Sequence, residues 1–292
     1  MGRAELFIAF ALITLAFEPK AFSQFTPAFL QNGSYWGDSK SEFDLYAAEL
    51  MRDGQPHQCE LLIIFTPKLL DPASLTELDD TKSPSALTAI QMNQVGTVPR
   101  GLVVEHRSIS ALWRTDSMSL ARMSIAGTDG FGNIIKGIVQ NRDETAMAWT
   151  YSCDTYRSKI QQQPIAAPSK NAVFYDELPL RVRMLDFSKT NGDFEVDLAP
   201  SIASPQKDTG EFKPAKISWQ RGERTIDVDV RHAAGTDHFV LDREFPFLLR
   251  EWQIADGSRL KMKNSLKVDY RNYLKNGDRE RALKDPMLRH PD

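Results

Sequence analysis

The residues of this 292-residue chain that could do chemistry are five histidines, two cysteines and a scatter of carboxylates. His232, Asp237 and His238 stand closest together, around the turn 233–237. Two imidazoles and a carboxylate across a hairpin mouth are zinc-type ligands, but no fourth ligand follows, so the pattern reads as two histidines at strand ends. His57 and Cys59 are two apart on one strand, in the manner of a Cys–His pair. Neighbours on one strand seldom reach nucleophile–base geometry. Asp227 and Asp229 share a strand face, where two carboxylates could serve a glycosidase but more simply meet solvent. Gly127-Thr-Asp-Gly-Phe-Gly-Asn133 has the glycines of a phosphate cradle without the helix, and Asp129 alone cannot supply the oxygens calcium takes. Neither a Gly-x-Ser-x-Gly elbow nor a P-loop occurs. The motifs therefore imply no metal and no cofactor. A hydrolase acting on glycan or ester would have to draw on Asp38, His57 or Asp176 at one end of a barrel.

The elements that must position these groups read as strands. His57 to Thr66 alternates, with Cys59, Leu61, Ile63 and Phe65 on one face, and Met147, Trp149, Tyr151 and Cys153 do the same further on. Segments 86–95, 102–113, 134–140 and 145–153 are strand-like and separated by turns. Gln161 to Lys170 holds two prolines and reads as a connection between halves. Beyond it, Leu180, Val182 and Met184 alternate with Arg181 and Arg183, and Asn191-Gly192 before Phe194 to Leu198 predicts a hairpin. Ile217 and Trp219 pair with Ile226 to Val230, and Phe247 to Ile254 with Leu260 to Tyr270. The lysines of 261–267 fall on a polar face and read as protection of an edge strand.

Such a pattern predicts an all-β fold. It is an antiparallel meander curled into a half-barrel or open barrel, with minor helical turns. Residues 24–273 form the single β domain and 274–292 a charged tail.

Residues 1–23 read as a signal peptide: Arg3, the apolar run Leu6–Phe17, Pro19, then Ala21-Phe22-Ser23 before Gln24. The twelve-residue run rises about 18 Å as a helix, short of a ~30 Å hydrocarbon core. No later segment is long and apolar enough to span a bilayer. Export to the periplasm or beyond follows, and an oxidising compartment favours a disulfide between Cys59 and Cys153. Closing a loop of that length would stabilise by ~4–5 kcal/mol on the loop-entropy estimate. Buried thiols are the alternative. A net charge of −3 with interspersed signs gives no support for nucleic-acid binding.

Tyr35-Trp36-Gly37-Asp38-x-Lys40-x-Glu42, followed by Leu61-Leu-Ile-Ile-Phe-Thr-Pro-Lys68, resembles the opening of uncharacterised exported bacterial proteins with a WGDGKAE-type motif. Ser39 stands where that motif has glycine. Phe174 to Phe187 and Glu244 to Tyr270 are similar to two later blocks of the same proteins. In the first of these blocks a short turn of helix precedes an arginine-bearing strand. The layout is more faintly similar to DUF3108-type periplasmic proteins and LolA/LolB-like lipoprotein carriers. That resemblance implies a curved sheet around an apolar cavity and transfers no active-site residue. The expected function is non-enzymatic binding of an apolar small molecule, lipid or lipoprotein segment, or else a structural role in assembly. Trp36 and Trp149 would supply apolar contact and Arg183 a charge-assisted contact to a head group. The Trp36-Gly37-Asp38 cluster would start the sheet and close one end of its interior.

Overall fold

The structure, a computed structural model, describes residues 24–78, 85–128, 132–141, 148–155, 158–167, 169–203 and 211–288. The putting-together of the sheet follows the chain. The first eight strands are β1 (Ser41–Arg52), β2 (Gln55–Leu70), β3 (Leu87–Arg100), β4 (Val103–Arg114), β5 (Leu120–Thr128), β6 (Asn133–Gln140), β7 (Ala148–Thr155) and β8 (Ser158–Ala166). The remainder are β9 (Ala172–Phe174), β10 (Asn191–Ala199), β11 (Lys213–Arg221), β12 (Thr225–His232), β13 (Gly235–Asp242), β14 (Leu249–Gln253) and β15 (Arg259–Val268). All belong to one sheet. Strands β1 to β8 meander away from β1, and β10 to β15 meander back until β15 pairs with the free side of β1. Every neighbouring pair is antiparallel except the short β9–β10 ladder. The edges β8 and β9 do not pair, so the sheet curls without closing into a barrel.

Curling has a local cause. Register shifts interrupt the ladders at Leu45/Tyr46, Leu112/Trp113, Tyr151/Cys153 and Val240/Leu241, and bulges of this kind bend a strand and raise its twist. At the seam the two halves meet through side chains. Trp149, near the start of β7, packs edge-on to Phe174 at 5.1 Å, and Phe174 pairs with Ala199 at the end of β10.

The two rims of the curled sheet differ. The tight turns after β1, β3, β12 and β14 gather at one rim, which we call the mouth. The opposite rim, the base, is filled by two segments laid inside the sheet. One is residues 25–37, with the short helix α1 (Gly33–Trp36). The other is residues 175–187, with 3-10 turns on either side of α2 (Leu178–Arg181). Phe29, Leu178, Leu180, Val182 and Met184 are all buried in the main core. The two segments are laced together by Thr26 N–H donating to the Met184 carbonyl at 2.7 Å.

Several expectations are corrected here. Leu180, Val182 and Met184 alternate as a strand would, but they lie in helical turns. Pro179, second residue of α2, suits the first helical turn, and Arg181 and Arg183 are buried as well, so the alternation does not separate a wet face from a dry one. Asn191-Gly192 starts β10 rather than turning a hairpin. Gly192 is needed because a Cβ there would lie 2.2 Å from the Trp219 ring. The stretch 161–170 is not wholly a connection, since Ser158–Ala166 is strand β8. The lysine-bearing strand β15 is paired on both sides, to β1 and to β14; its Lys261 and Lys263 pair with Glu251 and Glu60. The tail contains helix α3 (Asp278–Lys284). It packs on the outer face over Phe43, Leu266 and Val268. That cover lets Phe43 face outward while Glu42 and Asp44 face in, fully buried. The proposed signal segment 1–23, including Ser23, and Asp129 lie outside the described residues. The expected disulfide is absent: Cys59 and Cys153 are thiols. Strands β2 and β7 are five ladder steps apart in the strand order. No ladder therefore sets the two cysteines side by side.

Candidate functional site

At the mouth the interior is not filled. A cavity of about 960 Å³ opens between the two halves of the sheet. Its floor is Tyr175 and Asp176, the first residues of the segment that goes on to fill the base. Its aliphatic wall comes from inward positions, among them Leu50 of β1, Leu61 of β2, Val98 of β3, Ile109 of β4, Ile125 of β5 and Leu260 of β15. Tyr151 and Trp252 add ring surface. The volume lies at the upper end of the range of small-molecule pockets, which are mainly apolar with a few placed polar groups.

The polar groups are unevenly distributed. On the β1–β6 side, Arg52, Arg100 and Arg107 converge on Glu105, with contacts of 3.4, 3.6 and 2.6 Å. Arg100 also pairs with Asp53 at the rim. Lys136, on β6, is buried nearby, and burial, with Arg107 as a like charge, pushes its pKa down. Burial likewise lowers that of Arg107, against the pull of Glu105. Opposite them, Asp176 is held by Ser201 Oγ at 2.7 Å and by the Ile202 amide at 2.6 Å. Its burial still raises its pKa above the usual carboxylate value. The Tyr175 hydroxyl donates to Asp237, which also accepts from the Ala255 amide at 2.8 Å. Burial first, then the Asp237 charge, drives the phenol pKa well up, so Tyr175 stays a donor.

The ligand residues expected from the sequence do not line this cavity. Trp36 is buried in the base, its indole N–H donating to the Phe29 carbonyl at 2.8 Å. Trp149 is buried and donates to the Leu120 carbonyl at 3.1 Å. Arg183 is sealed in the base, where it forks onto Glu42 at 2.5 and 3.0 Å and donates to the Pro246 carbonyl at 2.8 and 3.1 Å. Its guanidinium lies over Phe29 and Phe65. These are contacts of a packed interior.

The groups considered for hydrolysis do not converge either. Asp38 precedes β1 at the base and accepts from the Lys40 amide at 3.0 Å. His57 sits near the mouth, its ring nitrogen 2.8 Å from the Pro99 carbonyl. Only Asp176 lines the cavity. His232 and Asp237 do meet, at 3.3 Å, whereas His238 points outward between Asp227 and Asp229. Among the described residues no group of three His, Cys, Asp or Glu side chains is arranged to hold a metal, and no helix is long and apolar enough to cross a membrane.

Sequence reasoning missed Arg52, Arg100, Glu105, Arg107 and Lys136. A signal was available. Glu105, Arg107, Ile109, Ala111 and Trp113 are alternate positions of one strand, so two charges continue an otherwise apolar inward face toward the β3–β4 turn.

The chain matches no protein-family model and no curated protein. Among solved structures it is similar to the crystal structure of a beta-barrel-like protein of domain of unknown function DUF1849 from Brucella abortus. The identity is 9%, the match covers 79% of this chain and 99% of that one, and the TM-score is 0.45. A likeness that loose supports no functional argument.

Proposed function

We infer that the protein binds an apolar ligand, an acyl chain or a lipoprotein segment, in the open half of its curled sheet, without catalysing a reaction on it. The observation that carries this reading is the division of the interior. The base is packed with Phe29, Leu178, Leu180 and Met184, while the mouth keeps about 960 Å³ walled by aliphatic side chains. A structural domain of this kind would gain by filling that space too, since unfilled apolar surface forfeits burial at roughly 25 cal/mol per Å². The reading places the protein in the bacterial envelope after export, on the strength of the apolar run and small residues in 1–23. N-terminal sequencing of the mature protein should then begin at Gln24.

The test is native mass spectrometry of the full chain, purified from its own envelope under gentle extraction. A stoichiometric lipid-sized adduct, lost on organic extraction, is the expected result. A clean apo mass, together with no binding of the neutral fluorescent probe N-phenyl-1-naphthylamine, would overturn the reading.

A further inference from the structure

The cationic wall of the cavity is more than a set of surface ion pairs. Arg52, Arg100 and Arg107 present three positive charges to one carboxylate, Glu105, inside the mouth. Asp53 offsets Arg100 from the rim, and Lys136 adds a further buried cation one strand beyond β5. Across the cavity Asp176 is held by Ser201 and the Ile202 amide but still acts by charge on Arg107 and Lys136. Of the other lining carboxylates, Glu211 pairs with Lys213, Asp237 accepts from Tyr175 and the Ala255 amide, and Asp256 accepts from the Ser258 amide. The wall also has room. Arg107 stands between Gly96 of β3 and Gly127 of β5 in the ladders, so neither neighbour puts a side chain beside it. Leu61 reaches over Gly96, its Cδ1 3.3 Å from where a Cβ would stand, while the Gly127 side is bare backbone. Neither glycine has positive φ. A Cβ at Gly127 would lie 2.6 Å from the His106 carbonyl, so that strip stays bare for a steric reason. Immediately deeper lie the aliphatic side chains Ile109 and Ile125, cross-strand partners in the next inward layer.

We propose that this strip is an anion subsite: Arg107, with Arg52, Arg100 and Lys136, holds the anionic end group of an amphiphile whose chain lies along the aliphatic wall. The end group is a carboxylate or a phosphate monoester, either of which a guanidinium fork can grip. The proposal rests on the apolar-ligand reading and adds to it the charge of the ligand. Glu105 then has a second consequence. It organises the arginines in the empty site and competes with the ligand for them, so the anion binds against its repulsion.

The experiment measures displacement of N-phenyl-1-naphthylamine from the full chain by dodecanoate, dodecyl phosphate and dodecanol at one ionic strength. One charge-assisted contact is worth about tenfold or more in affinity. At least one of the two anions should displace the probe at a concentration about tenfold lower than dodecanol does, and which of them does so distinguishes carboxylate from phosphate. Arg107→Gln should collapse that ratio, Glu105→Gln should widen it, and added salt should narrow it. Arg100→Gln serves the same purpose if the Arg107 variant does not fold. Equal displacement by all three amphiphiles, or an undiminished ratio in a folded arginine variant, overturns the subsite and leaves the cavity reading standing. Failure of the probe to bind at all overturns both.

Discussion

Arg183 offers the sharpest test of how the base is held together. Its side chain is fully buried with Glu42 and lies 3.9 Å from Asp44. Replacing it by methionine removes the two-pronged contact to Glu42 and both hydrogen bonds to the Pro246 carbonyl. Glu42 then keeps the Tyr35 hydroxyl and Asp44 the Ser265 hydroxyl, but both lose the guanidinium charge in a dry interior beside Phe29 and Phe65. Removing one partner of a buried ion pair costs about 3–5 kcal/mol, most of it from the stranded charge. Urea unfolding at neutral pH, followed by tryptophan fluorescence, reads this directly. With a denaturant slope near ~3 kcal/mol/M, the midpoint should fall by about 1–1.7 M. Adding Glu42→Gln removes the stranded charge and should recover about half of the loss, a coupling that a merely steric effect would not show. A midpoint that falls by less than roughly 0.3 M, on the same slope, would refute the account. So would a double variant no more stable than Arg183→Met alone.

Three further outcomes follow from the same interior. Gly192→Ala forces a Cβ to within 2.2 Å of the Trp219 ring; overpacking of that kind should cost about 1–3 kcal/mol, and an unchanged melting temperature would contradict the packing described. Ser39 is exposed with φ of 57°, a left-handed conformation that glycine adopts without penalty, so Ser39→Gly should stabilise by about 0.5–1 kcal/mol after the added chain entropy is counted; a destabilised variant would show that the serine side chain matters. Asp44 has its pKa raised by burial and then by Glu42. Between its unfolded value near 3.8 and the raised folded value, the folded state holds the extra proton, so Asp44 subtracts stability as pH rises through that window. Urea midpoints of Asp44→Asn should therefore gain on the parent protein as pH rises from about 4 toward neutrality, whereas parallel curves would show that Asp44 titrates normally.

Much of the fold was legible because strand periodicity is a local property. The pairings Ile217 with Val230 and Trp219 with Val228, and the β14–β15 hairpin, follow from alternation and turn residues. The opening cluster was legible as a closing element. Trp36 packs against Phe29 at 5.5 Å, Asp38 ties the turn, and a Cβ at Gly37 would lie 2.4 Å from the Gly33 carbonyl. The inward side of β1 was not legible. Glu42 and Asp44 alternate with Phe43 and Leu45, and hydropathy assigns the aromatic to the core. The distant Arg183, with Tyr35 donating to Glu42 and Ser265 to Asp44, makes the acids tolerable inside, and the tail with α3 makes the phenylalanine tolerable outside.

The sequence by itself determined that this chain is an antiparallel β protein with helical minorities. It also set where most hairpins turn and left it without a recognisable catalytic motif, because turn chemistry and side-chain alternation act over a few residues. Tertiary structure decided which segment fills the interior and where filling stops. It decided too that Arg183 is a sealed partner of Glu42 while Arg107, beside Glu105, lines the open cavity. Those outcomes depend on the curvature of fifteen strands and on contacts such as Arg183 to Glu42, 141 residues apart in the chain, whose pairing no local pattern encodes.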